Sequence, residues 1–151
     1  MPRITDVVKQ LLIINVIMFV FTQMITPGIK DALAMYYPAS PYFKPWQIVT
    51  HMFMHANFNH LLFNMFGLYM FGSALEAYFG PKKFLTFYLL TGLGALFLYI
   101  GVLHLELSAF SPEQYNYYLQ YSRGMVGASG AVFGLLAGYG MIYPNSRIML
   151  L

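Results

Sequence analysis

The chain has 151 residues, 59% of them hydrophobic and 9% charged, with a net charge of +3. Soluble domains carry about 25% charged residues, and a water-soluble chain this short cannot bury so much apolar surface, so the composition points to an integral membrane protein. Cysteine is absent, which removes disulfides, thiolate metal sites and a cysteine nucleophile together; the small positive excess, scattered at segment ends, reads as membrane topology rather than nucleic-acid binding.

Val7 to Ile25 is apolar apart from Lys9, Gln10, Asn15, Thr22 and Gln23. Lys9 can snorkel to the headgroups. Thr26-Pro27-Gly28 follows in place of a small-residue cleavage pattern, so the segment reads as a first transmembrane helix rather than a signal peptide. Residues 27–58 hold Pro27, Pro38, Pro41 and Pro45 together with Tyr36, Tyr37, Tyr42, Phe43 and Trp46. The prolines exclude a long helix, and the amphipathic aromatics belong where bilayer meets water. The expectation is a folded interfacial loop with short helices.

A second span runs from His60 to Gly80, stopped at Gly80-Pro81. Lys82 and Lys83 form a short turn, and a third span covers Phe84 to Leu105. Glu106 to Met125 is a second polar and aromatic connection. A fourth span covers Ser129 to Tyr143, ended by Pro144, and a fifth apolar run opens near Ile148. The predicted fold is all-α: one polytopic membrane domain over residues 1–151, with four helices and the start of a fifth.

Positive residues set the orientation. Arg3, Lys9, Lys82, Lys83 and Arg147 gather on one side, against Lys30, Lys44 and Arg123 on the other. The N-terminus is expected in the cytoplasm, and the starts of helices two and four at the outer side. There His60 and Asn64, four residues apart, share one helical face, and polar groups in a membrane segment face the protein interior or a water cavity. Helix four, at a rise of about 1.5 Å per residue, is too short to cross, so Ser129 starts below the outer surface at a depth near that of Asn64.

Gly127-Ala128-Ser129-Gly130 has two explanations. In one, Ser129 caps the helix and the glycines permit a tight turn and close packing. In the other, the glycines let a substrate backbone approach and the free N–H groups of the helix start face a developing negative charge. Gly130, Gly134 and Gly138 form a stripe suited to helix packing. His51 and His55 have the i, i+4 spacing of a metal pair, but no glutamate follows His51 and no carboxylate lies nearby in sequence. No metal is expected. They are read as hydrogen-bonding residues near the site, above the depth of Ser129, and Glu76 as a buried or interfacial structural acid.

The run from His51 through His55 and His60 to Asn64, followed by Gly127-Ala128-Ser129-Gly130, resembles the rhomboid intramembrane serine proteases. The resemblance implies a six-helix core with Ser129 as nucleophile, and His60, Asn64 and the Ser129 backbone N–H as the oxyanion site. Gly127, Gly130, His51 and His55 would support them. It also implies no cofactor, substrates that are transmembrane segments cut near the outer bilayer surface, and a setting such as a bacterial inner membrane. The family's general base is a histidine on helix six, and nothing here matches it; the base is therefore expected beyond Leu151, and residues 1–151 alone are expected to be inactive. Two other classes stay open: a rhomboid-like pseudoprotease that binds transmembrane segments without cutting them, and a channel or transporter. Sparse intramembrane charge disfavours the last.

Overall fold

A computed structural model describes residues 3–26 and 28–146. The described residues form an all-helical bundle: α1 (Asp6–Val20), α2 (Ile29–Leu33), α3 (Gln47–Thr50), α4 (Phe58–Phe79), α5 (Pro81–Ser108), α6 (Pro112–Tyr121) and α7 (Ser129–Ile142). The fifth apolar run, from Ile148, lies outside the described residues.

Helix α7 packs against α5 and α4, and α1 against α4. The glycine stripe explains the first contact. A Cβ on Gly130 would stand 2.6 Å from the Ala95 Cβ and one on Gly138 3.0 Å from the Phe87 ring, while Gly134 backs directly onto Thr91. Leaving out those side chains brings the two backbones together. Val8, Leu68, Leu75, Phe84, Tyr88 and Leu135 close the core between the helices. Ile13, Ile17, Leu90, Phe97, Leu98, Phe133 and Met141 project outwards, a surface for hydrocarbon rather than water.

Helices α1, with its extension to Ile25, and α5 are long and apolar enough to cross a membrane. Helix α4 has the length, at 22 residues, but Asn59, His60, Asn64, Ser73 and Glu76 lower its hydropathy. Several boundaries differ from the expected ones. The first span leaves α geometry at Phe21 and finishes as a π-helix to Ile25. Lys82 and Lys83 sit inside α5 rather than in a turn, because Gly80 takes φ +78° and reverses the chain while Pro81 opens the helix. The second connection contains α6, whose start is fixed by a capping box between Ser111 and Gln114.

Glu76 is buried, and both its oxygens accept from the start of α1: the Thr5 hydroxyl and the Val8 N–H at 2.9 Å on Oε2, the Val7 N–H at 3.0 Å on Oε1. The first-turn N–H groups of a helix have no partner within it, so this carboxylate on α4 docks and caps α1.

Candidate active site

The site is assembled at the opposite end of α4. Asn57 takes an extended conformation and its side chain accepts from the His60 N–H at 2.9 Å, which starts the helix and puts His60 in its first turn. The Ala56 N–H points at His60 Nδ1 at 3.4 Å. An Nδ1 that accepts leaves the proton on Nε2, so the outward nitrogen of His60 is a donor. One turn on, Asn64 is buried and donates from Nδ2 to the His60 carbonyl at 3.0 Å. One N–H of that amide is used and one remains.

Ser129 comes to this place on a short extended segment. The Met35 and Met125 backbones exchange two hydrogen bonds, at 2.9 and 2.7 Å, and the Gly127 N–H donates to the His51 carbonyl at 2.9 Å. Gly127 has φ +133°, a conformation that side chains rarely adopt. A Cβ added there would lie 2.8 Å from both Cε1 and Nε2 of His60, and 3.6 Å from Ser129 Oγ. The His60 ring and the Ser129 hydroxyl thus converge on the gap above the Gly127 backbone. Ser129 is the first residue of α7, not its cap: the cap position is Ala128, and no side chain caps the helix. The capping explanation for Ser129 is therefore set aside. The first helical bond runs from Val132 N–H to Ala128 C=O, so the Ser129 and Gly130 N–H groups have no partner within the helix.

A cavity of about 210 Å³ opens beside the serine, lined by residues that include His51, Gly92, Tyr99, Gly127, Ser129 and Gly130. His51 thus shares the cavity wall with Ser129. Its Nδ1 lies 2.8 Å from the Gln47 carbonyl, so Nδ1 carries the proton and Nε2 is the acceptor. Burial lowers its pKa, offset in part by backbone hydrogen bonds. His55 is fully buried behind His60, the two rings edge-on with centroids 5.2 Å apart. Burial, then the nearby His60, lowers its pKa to about 4, and neither ring nitrogen has a hydrogen-bond partner among the described residues. Gln23, from the π-helical end of α1, braces this segment by donating to the His55 carbonyl at 3.0 Å. His104 stands apart, its Nδ1 2.8 Å from the Tyr37 hydroxyl.

Sequence reading missed Gln47. It is fully buried; its carbonyl oxygen accepts from Lys44 N–H at 3.0 Å and Tyr36 N–H at 3.4 Å, and its amide donates to Tyr42 C=O at 3.1 Å. It ties Ala32, Tyr36, Tyr42 and Lys44 of the aromatic loop together, and the same loop carries Met35, which pairs with Met125. A lone glutamine among exposed-looking aromatics was its only signal.

The rhomboid domain model matches residues 42–151, which takes in His51, His55, His60, Asn64, Gly127, Ser129 and Gly130. The chain belongs to the rhomboid family. It is 43% identical over 96 residues to Rhomboid-like protein 11, chloroplastic, of Arabidopsis thaliana, covering 63% of this chain and 29% of that protein. It is 32% identical over 92 residues to rhomboid protease AarA of Providencia stuartii, covering 61% and 32%. With rhomboid protease GluP of Bacillus subtilis it shares 30% over 107 residues, 70% of this chain and 17% of that one. The chain spans between 17% and 39% of the length of the curated relatives it matches. Rhomboid membership and the two long apolar helices make this a membrane protein.

Proposed function

We propose that this chain carries the nucleophile and oxyanion half of an intramembrane serine endopeptidase that cuts transmembrane segments of other membrane proteins near the outer bilayer surface. The observation that carries the reading is the convergence of Ser129 Oγ and the His60 ring over Gly127. A peptide carbonyl lying in that gap meets a hydroxyl on one side and N–H donors on the other. Those donors are His60 Nε2, the free N–H of Asn64 and the Ser129 backbone N–H, whose helix dipole adds to them. Together they stabilise the negative oxygen of a tetrahedral intermediate, a role worth about 3 kcal/mol for one good donor. The cavity beside Ser129 has room for water, which hydrolysis of an acyl-serine needs.

A serine hydroxyl needs a base, and among the described residues none hydrogen-bonds to Ser129 Oγ. His60 is occupied as a donor, His104 is held by Tyr37, and His55 is sealed behind His60; His51, whose Nε2 can accept, lines the same cavity but makes no hydrogen bond with Ser129 Oγ. The reading therefore places the general base on a histidine outside residues 1–151, with the N-terminus in the cytoplasm of a bacterial inner membrane and both aromatic connections outside. No cofactor enters the reaction.

The test uses the full-length protein in detergent with a fluorogenic transmembrane substrate. Ser129→Ala is expected to lower turnover by roughly 10⁴-fold or more, with thermal unfolding unchanged. Comparable cleavage by the variant would remove the serine-protease reading. Residues 1–151 alone are expected to show no turnover and no labelling by a serine-directed probe; Ser129-dependent turnover there would put the base within the chain.

A further inference from the structure

Away from Ser129, the corner between α4 and α5 holds an open groove of about 400 Å³ lined by Phe79, Lys82, Lys83, Thr86, Phe87 and Leu90. The sequence builds it directly. The tight reversal at Gly80-Pro81 sets both lysines in the first turn of α5. Lys83, Phe87 and Leu90 then recur at i, i+4 and i+7, with Lys82 and Thr86 at i and i+4 beside them. Phe79 and Phe87 pack as a floor, ring centroids 5.6 Å apart, and Leu90 lies 62% exposed along the wall. The lining is almost wholly hydrocarbon, and its rim carries two exposed ammonium groups. The carboxylate nearest them in sequence, Glu76, accepts all three of its hydrogen bonds from α1.

An apolar groove opening sideways from a membrane helix, with two cations at its mouth, matches one ligand chemistry: an acyl chain joined to a negatively charged head. The lysines alone would be solvated point charges, and the groove alone would take any chain. A zwitterionic head brings its own ammonium group to a rim whose lining includes no acid. We propose that this corner selectively binds an anionic phospholipid, with its phosphate between Lys82 and Lys83 and one acyl chain along Phe79, Phe87 and Leu90. Phe87 also backs onto Gly138 of α7. The site is separate from the serine and is read without catalysis, so it stands or falls independently of the protease reading.

The experiment is native mass spectrometry of the purified full-length protein with equal amounts of phosphatidylglycerol and phosphatidylcholine of identical chains. Wild type is expected to retain phosphatidylglycerol at least about tenfold more, from two lysines near a headgroup. The preference should fall to within about twofold in Lys82→Gln/Lys83→Gln and persist in Lys82→Arg/Lys83→Arg, because the charge carries it. Thr86→Trp, which fills the groove, should lower retention of both lipids, and glycerol phosphate at the same concentration should displace neither. Equal retention by wild type, retention of neither lipid because another segment covers the groove, or a preference that survives the glutamine pair overturns the proposal. Thermal unfolding of each variant confirms that folded protein is compared, and the arginine pair and Thr86→Trp decide the matter if the glutamine pair is unstable.

Discussion

Helix α4 has buried polar side chains at both ends, and the two ends are different in kind. Glu76 is saturated: one hydroxyl and two backbone N–H groups, all from the start of α1, meet its two oxygens. At the other end His60 and Asn64 keep unused hydrogen-bonding capacity, and the His60 ring lies against Gly127. Asn64 gives one N–H to its own helix, and His60 holds Nδ1 towards Ala56 and presents Nε2 to the Gly127 backbone. A satisfied buried group contributes to stability and has nothing left for a substrate. A partly satisfied one has donors to offer, and the surrounding structure carries the cost of keeping them.

That contrast can be broken by substitution. The largest effect is expected for Asn64→Ala in the full-length enzyme: kcat lower by roughly 10²–10³-fold with KM little changed, because an oxyanion donor acts in the transition state. A pure KM effect in steady-state kinetics would make Asn64 a packing or substrate-binding residue. Glu76→Ala should do the reverse. It strands the α1 donors and is expected to destabilise the fold by about 3 kcal/mol, read by denaturant titration, while kcat per folded molecule stays at the wild-type value. Gly127→Ala tests the gap itself. The strained φ and the displaced His60 ring are expected to lower kcat/KM by roughly 10²-fold, with the unfolding midpoint moved far less than by Glu76→Ala.

The smallest effect concerns His55. Its folded pKa is depressed to about 4 by burial and then by His60, against an ordinary value near 6.5 in the unfolded chain. The neutral ring therefore contributes stability that is present above about pH 6.5 and is lost as pH falls towards 4. Between pH 7 and pH 5 the loss attributable to His55 is about 2 kcal/mol. His55→Phe should flatten that part of the stability curve, and an unchanged slope would show that the ring is not held neutral by its surroundings.

Much of the site was legible because its parts are local. His60 and Asn64 share a face by spacing alone, and glycines around a serine at the head of a short apolar run mark a helix start wherever it packs. The shortness of that run is what sets the expectation that Ser129 lies below the outer surface. Glu76 read as a buried or interfacial structural acid from its setting in an otherwise apolar segment, without its partners on α1. What the residues left open was Ser129 as cap or free hydroxyl; the helix begins one residue early, with Ala128 at the cap position, and the hydroxyl remains free of the backbone. Gln47 stayed hidden because its partners are backbone groups of an irregular loop, which carry no periodic signal, and the Met35–Met125 pairing because its two halves are distant in sequence. Helix α6 was missed for another reason: its apolar positions are tyrosines, which read as interfacial loop, and its capping box needs a local look at Ser111 and Gln114.

A membrane chain of helices, the approximate ends of four of them, and the residue types able to do chemistry are all readable along the chain, because hydrophobic runs and helical spacing are properties of neighbours. Which polar groups are satisfied and which are free emerges when the helices pack. Packing brought the His60 ring, Gly127 and Ser129 to one gap, put His51 into the wall of the cavity, and turned Glu76 onto the start of α1. Hydrogen-bond satisfaction depends on partners far away in sequence, and those are fixed only when the helices pack.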